Sequence, residues 1–291
     1  MRPECPNSNC SSINSNSKVI KHGRFKRRDD GQVIRRFRCK SCGKCFSHAT
    51  RALEFKQKKR SVNFILFKLL SSGVSMRRSA LILSISRTTV DRKLRFLAIK
   101  ARLSQARFLE SLKVKKVQNL QFDDLITSIH TKCKPVSVSL AVDVNTRQIL
   151  GFNVAEIPAF GHLAQVSRKK YGKRKNEHKI KLIDLFTQIQ DVVDEKAIIK
   201  SDEHQNYKPI INFFFPEAHY IQYKSRAGCI VGQGELKKIG NDPLFYINHT
   251  FAMLRANINR LFRKTWCLSK CPKRLQDHLD IYVAFHNQVY L

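Results

Sequence analysis

The chain has 291 residues, 42% of them hydrophobic, enough for a substantial core and too many for disorder along its whole length. It carries 55 Lys and Arg against 22 Asp and Glu, a formal net charge of +33, an excess that repels itself and is tolerated best beside a polyanion. There is no run of about 18 uncharged apolar residues, no apolar leader segment in Met1 to Cys10 and no basic helix with a fully apolar opposite face, so a membrane partner is excluded. Nucleic acid is the favoured partner, and a cytoplasmic, nucleoid-associated protein is expected.

The charge is uneven. Residues 1–116 hold 30 basic and 6 acidic side chains, whereas residues 117–291 hold 25 and 16. A DNA-reading front half and a back half that needs carboxylates for its own chemistry follow from that asymmetry.

Residues 1–50 have the pattern of a zinc ribbon. Cys5 and Cys10 form one knuckle, Cys39 and Cys42 the other, and the alternating strand Val33 to Arg38 enters the second. Zinc needs four soft ligands in a tetrahedron, which two Cys-bearing turns brought together by a hairpin supply. A unit this small cannot fold on its core alone, so the metal is expected to hold it together. Cys45 is a possible substitute ligand. The remaining cysteines, Cys133, Cys229, Cys267 and Cys271, are expected as small buried hydrophobes.

Residues 51–116 read as an all-α helix-turn-helix unit with a linker. A helix from Ser61 to Leu70, a glycine-bearing turn at 71–75, a short helix from Met76 to Leu83 and a third helix capped by Ser86 make the pattern. Arg87, Thr88, Thr89, Arg92 and Lys93 are expected to face the major groove or phosphates. Lys100 to Lys116 reads as a basic helical linker.

From residue 117 the period changes to that of strands. The segments ending at Asp123 and Asp124, at Asp143 and at Glu156 suggest a three-stranded antiparallel meander; a basic segment follows, with Arg168, Lys169 and Lys170 as candidate phosphate contacts. Then come an amphipathic helix, Lys179 to Val193, and a buried strand leading to Asp202. Three strands, a helix and a strand, with an acid at the end of the first and fourth strands, is a ribonuclease H-like order, so an α/β domain is expected over 117–291. Asp123 and Asp202 would hold Mg²⁺ or Mn²⁺, hard ions that take oxygen ligands and, in pairs about 4 Å apart, drive phosphodiester chemistry. Asp143 fits turn chemistry, His286 and Asn287 fit packing or backbone contacts, and Trp266 and Phe213 to Phe215 are expected in the core.

Taken together, the chain resembles insertion-sequence transposases of the IS-one-like, zinc-ribbon-containing DDE families. The resemblance rests on the Cys5/Cys10 and Arg36-Phe-Arg-Cys-Lys-Ser-Cys-Gly43 ribbon, the helix-turn-helix, Leu120 to Asp124, Lys200-Ser-Asp202, Gly232 to Lys237, Ile247-Asn-His-Thr250 with Leu254-Arg255, and Arg260 to Trp266. It implies an enzyme that nicks DNA at transposon ends, joins the 3′-OH to target DNA and works as a homo-oligomer on double-stranded DNA. It also implies a third ligand on a helix after the sheet, with a basic residue two turns on. Asn248 and Arg255 stand at those positions, seven residues apart on one helical face. Asn brings no charge, so a D-D-N site, Glu235 as the third acid, and an impaired enzyme all stay open. A relic acting as a sequence-specific DNA-binding regulator is the alternative reading; an RNA nuclease is disfavoured for want of an RNA-recognition motif.

Overall fold

The computed structural model describes residues 2–224 and 242–289, which form two compact units, residues 1–65 and 66–291. Glu235 and the glycines around it, with Cys229, lie outside the described residues.

In the first unit β1 (Val19–Lys26), β2 (Val33–Cys39) and β3 (Cys45–Phe46) form an antiparallel sheet in that order. Alternation along β2 turns Phe37 and Cys39 inward and leaves Arg36 and Arg38 exposed. The core is minimal: Val19, Phe37 and Phe46 pack with the cysteines. The turn after Cys39 closes when the Gly43 N–H reaches the Cys39 carbonyl at 2.9 Å, and it needs Gly43 at φ +71.

Helix α1 (Val62–Leu70) carries the chain from the first unit into the second, which continues with α2 (Met76–Ile82) and α3 (Arg87–Leu112). Ser75 and Ser86 cap α2 and α3, each side-chain oxygen accepting a backbone N–H three residues on, from Arg78 and Thr89. Leu66 and Leu70 meet Val90, Leu94 and Leu97 of α3 in a helical core. Gly73, at φ +73 in the turn after α1, donates its N–H to the Asn257 carbonyl at 2.6 Å. An added Cβ there would sit 3.3 Å from both the Ala256 carbonyl and the Phe262 ring.

The division between the two units falls at residue 65, and residues 66–116 lie in the same unit as the sheet. The basic stretch from Lys100 is helical, α3 running unbroken to Leu112. Its last turns are apolar on one face, and Phe108, Leu109 and Leu112 pack against the sheet core.

The five-stranded sheet has the order β6-β5-β4-β7-β8, with β4 (Val117–Ser128), β5 (Pro135–Asp143), β6 (Ile149–Glu156), β7 (Val193–Asp202) and β8 (His219–Tyr223). The first three strands form an antiparallel meander; β4, β7 and β8 run parallel. Between β6 and β7 lie α4 (Leu163–Tyr171) and α5 (His178–Ile189), between β7 and β8 α6 (Tyr207–Phe214), and beyond β8 α7 (Phe245–Asn257) and α8 (Pro272–Val289). Alternation splits the sheet cleanly. Val136, Val138, Leu140 and Val142 of β5 share one core with Ile247, Leu254, Leu279 and Val283 of α7 and α8. Leu120 and Phe122 of β4 share the other with Leu185 and Phe186 of α5 and Tyr207 and Ile211 of α6. Helix α5 lies so close to β6 that a Cβ on Gly151 would stand 2.8 Å from Cδ1 of Leu185.

Helix α8 packs on both sides, sending Leu279 to the sheet core and Ile281 to the helical core. Two buried carboxylates of α8, Asp277 and Asp280, pair with Arg102 of α3. As expected, His286 and Asn287 make backbone contacts, to Arg147 and to Ile149. No described helix is long and apolar enough to cross a membrane.

Candidate active site and metal centre

The two knuckles of the first unit converge. The four sulfur atoms of Cys5, Cys10, Cys39 and Cys42 lie within 4.8 Å of one another, three of the residues buried and Cys42 partly so. Across the cluster Cys5 stands 3.7 Å from Cys42 and Cys10 3.8 Å from Cys39. Burial pushes the Cys5 thiol up to about 12, while the N–H of Lys44 and the side chain of Asn7 bring Cys42 down to about 6. Four thiols gathered this closely could hold a metal ion, an arrangement compatible with structural zinc. Cys45 is exposed and takes no part, and Cys133 and Cys267 are half-buried with Cys271 exposed, so these three do not fill the core as expected.

The second candidate site stands where the two central strands part: Asp202 closes β7, but Asp123 lies midway along β4, which does not end at Asp123 and Asp124 as expected but runs on to Ser128. Gln121 of β4 pairs with Lys200 of β7. Two residues on, in each strand, come Asp123 and Asp202, carried side by side by a parallel ladder. Both line a cleft of about 330 Å³ with Asp124, His178, His204 and Tyr207 among its walls.

The three aspartates are placed differently. Asp124 shares the face of Leu120 and Phe122, and its two oxygens are fully engaged. One accepts from Ser137 (2.7 Å) and Ser139, the other from Tyr207 (2.7 Å) and His178. Burial works against its charge, but the bonds from His178, Ser139 and Tyr207 prevail and hold its pKa below the ordinary value. His178 is raised in turn: desolvation would lower it, and Asp124 overrides that. Asp123 has no such set of donors. One oxygen accepts the Asp124 N–H at 2.7 Å, and burial with the charge of Asp202 pushes its pKa up to about 8. Asp202 is raised by burial and by Asp124 and Glu203, and its Oδ1 is buried without a hydrogen-bond partner among the described residues. An orphaned carboxylate oxygen beside a second carboxylate raised by its neighbour is a pair short of positive charge, and a divalent cation fits that deficit.

No family model and no curated protein matches this chain.

The other expected residues are distributed as follows. Asn248 is on the second turn of α7, exposed, its amide donating to Asp242 at 2.9 Å, and it does not line the carboxylate cleft. Helix α7 spans Phe245–Asn257 with Leu244 at its cap, so Asn248 lies inside the helix. Its start is tied to β4 through Gln121, which accepts the Ile247 N–H and donates to the Pro243 carbonyl. Arg87, Thr88 and Arg92 are exposed at the start of α3 and Thr89 is partly so. Lys93 is a correction: only 4% exposed, it faces the helical core rather than a groove, because it shares a side with Val90, Leu94 and Leu97. Arg168, Lys169 and Lys170 are exposed in the last turn of α4, which had read as part of an irregular basic segment. Arg255 is half-buried, and desolvation with the charge of Arg263 lowers its pKa.

Asp143 is a turn residue, accepting from the Asn145 N–H and the Thr146 hydroxyl. Trp266 and Phe213 are further corrections. They are 77% and 79% exposed, and of the Phe213 to Phe215 cluster only Phe215 is fully buried.

What sequence reading missed is the shell around Asp124. His178 heads α5, Tyr207 heads α6, and His204 lies between them, edge-on to His178 and tilted to Tyr207, with ring centroids 4.7 and 4.9 Å away. Nothing local marks His178 or Tyr207; the alternation that set Ser137 and Ser139 opposite Asp124 was the one available signal.

Proposed function

We propose that this chain is a DDE-type transposase that binds the ends of an insertion sequence and carries out metal-dependent DNA cleavage and strand transfer. The observation that carries the reading is the placing of Asp123, midway along β4, beside Asp202, at the end of the adjacent parallel strand β7, one raised in pKa and the other with an unpartnered buried oxygen. A five-stranded sheet whose first three strands form a meander and whose last two run parallel to the first supports a ribonuclease H-like domain. The cysteine cluster supports a zinc ribbon, and the Ser86-capped α3 with Arg87, Thr88 and Arg92 exposed supports groove recognition.

Asp123 and Asp202 would hold Mg²⁺ or Mn²⁺, which would supply activation of the attacking oxygen and neutralisation of the leaving one. The chain's own part is placement. Asp124, held by Ser137, Ser139, Tyr207 and His178, fixes the middle of β4 and so the position of Asp123. Gln121 ties α7 to the same strand, and with it Asn248 and Arg255. The third ligand would be Glu235, or Asn248 once its amide leaves Asp242 and α7 brings it to the cleft. Basic side chains of α3 and α4 hold backbone phosphates, and two such protomers bring the two ends together.

A second reading, a DNA-binding regulator with a silent nuclease, is favoured by one observation: Asn248 is uncharged and its amide is already bonded to Asp242.

The test is nicking of labelled terminal-repeat DNA in Mg²⁺ or Mn²⁺ by the wild type and by Asp123→Ala, Asp202→Ala, Asn248→Ala and Glu235→Ala. Cleavage lost in both aspartate variants supports the transposase, and whichever of the other two also fails is the third ligand. Specific binding of the same DNA without cleavage by the wild type would make the regulator the correct reading.

A further inference from the structure

A second cavity, of about 250 Å³, adjoins the carboxylate cleft, and Ile126 of β4 lines both. Its floor is apolar, built from Leu125, Leu261 and Leu268, while Lys132, Arg255, Arg263 and Lys264 stand around its rim. None of these four cations is paired with a carboxylate among the described residues, and Arg255 and Arg263 are close enough to repel each other. Four converging cations without an acid are the electrostatic outline of an anion's site. Immediately beyond the rim residue Thr265 stands Trp266, the only tryptophan of the chain, 77% exposed, with the Lys264 ammonium 5.6 Å from its ring. A large indole left in water beside a cationic cavity lacks a packing role, and its free face suits a planar, electron-deficient partner.

We propose that this cavity binds unpaired DNA: backbone phosphates at Arg255, Arg263, Lys264 and Lys132, and a base stacked on Trp266. Every base has a face that can stack, while a base inside an intact duplex does not expose one, so an aromatic platform next to cations selects unpaired strands. The location gives the selection a purpose. A strand seated here runs along β4 toward Asp123, so the nucleotides next to the cleaved phosphate would be held out of the duplex. The proposal rests on reading the carboxylate cleft as the DNA-cleaving site.

Because Trp266 is the sole tryptophan, its fluorescence reports on the platform directly. The full-length protein with its zinc is titrated, without Mg²⁺, with three dye-labelled probes of equal length: an oligo-dT strand, an abasic strand and a blunt duplex. Anisotropy of the dye reports binding to any part of the protein. The expected result is roughly a twofold or greater loss of Trp266 emission with oligo-dT and little with the other two, although all three bind. Asp123→Asn should leave that response intact, Arg255→Ala with Arg263→Ala should shift it to higher DNA concentration, and Trp266→Ala should weaken oligo-dT binding about tenfold where Trp266→Phe does not. Binding by anisotropy with unchanged Trp266 emission would overturn the proposal, as would equal quenching by the abasic strand, which would mark a phosphate site only. A protein that nicks DNA with no Trp266 response refutes the platform and leaves the nuclease standing. A Trp266 response in a protein that never cleaves refutes the nuclease and leaves the platform.

Discussion

The side chain of Asn287 occupies the place of a neighbouring strand for Ile149: its oxygen accepts the Ile149 N–H at 2.9 Å and its amide donates to the Ile149 carbonyl at 2.9 Å. The same amide also donates to Gln105 of α3, so one residue of α8 joins the sheet and the long helix. Removing it leaves the buried Ile149 N–H and the Gln105 Oε1 without these partners, each worth about 1–3 kcal/mol, while the Ile149 carbonyl keeps the Gln105 amide at 2.9 Å. Asn287→Leu should therefore lower stability by about 2–4 kcal/mol in urea unfolding. A loss under about 0.5 kcal/mol would show that water replaces the amide.

Gly151 should not tolerate even a methyl group. A Cβ at 2.8 Å from Cδ1 of Leu185 and 3.1 Å from Cγ2 of Ile189 must displace these two fully buried side chains of α5. Gly151→Ala is expected to destabilise by about 1–3 kcal/mol, with about half restored in a double-mutant cycle by Leu185→Val, which removes the Cδ1 that the new methyl meets. Strictly additive effects would mean the helix moves away freely.

The cysteine cluster makes a metal prediction that separates its members. One zinc per chain is expected in chromogenic release assays, lost in Cys39→Ser and retained in Cys45→Ser. Because the first unit's core is little more than Val19, Phe37 and Phe46, chelation should open the described residues of the first unit to protease while residues 66–224 and 242–289 stay resistant. Equal resistance of both units after chelation would show that the metal is dispensable for folding.

His278 sets an acid limit. Burial in α8, with the charges of Arg260 and Arg274, lowers its pKa from 6.5 to about 3, so the native state keeps it neutral while the unfolded chain takes up a proton below pH 6.5. The stability that follows is present above pH 6.5 and lost as pH falls. Asp280, raised to about 6 by burial against the pull of Arg102, binds its proton in the native state and works in the opposite direction over part of the range. The comparison must therefore be with a variant lacking only the histidine. Between pH 7 and pH 5 the wild type should lose about 2 kcal/mol relative to His278→Leu. A constant difference would place the histidine in contact with water.

Much of this architecture is readable from residue order because it is local. The knuckles are turns, the meander is a run of alternating strands with Asp143 at its turn, and the Ser86 cap needs only three residues. The shell of Asp124 is not readable, since its partners His178 and Tyr207 come from helices that follow β6 and β7 and meet it only when the parallel strands align. Lys93 and Trp266 fail for the opposite reason. Residue type predicts Lys out and Trp in, and the facing of α3 and the short turn at Thr265–Cys267 reverse both.

The unbroken α3 has a consequence for how DNA would be measured. Its 26 residues span about 39 Å, from the exposed Arg87 to the turns where Gln105 grips β6 and Leu112 enters the sheet core. A helix anchored along that length behaves as a spacer bar, not a tether. With Arg87 seated in a groove, the carboxylates could reach phosphates at only one separation from it, so the breakage point would be counted off in base pairs from the recognised sequence. Adding a single residue in the middle of α3 would swing one end by about 100° relative to the other and should abolish that count even with both ends intact.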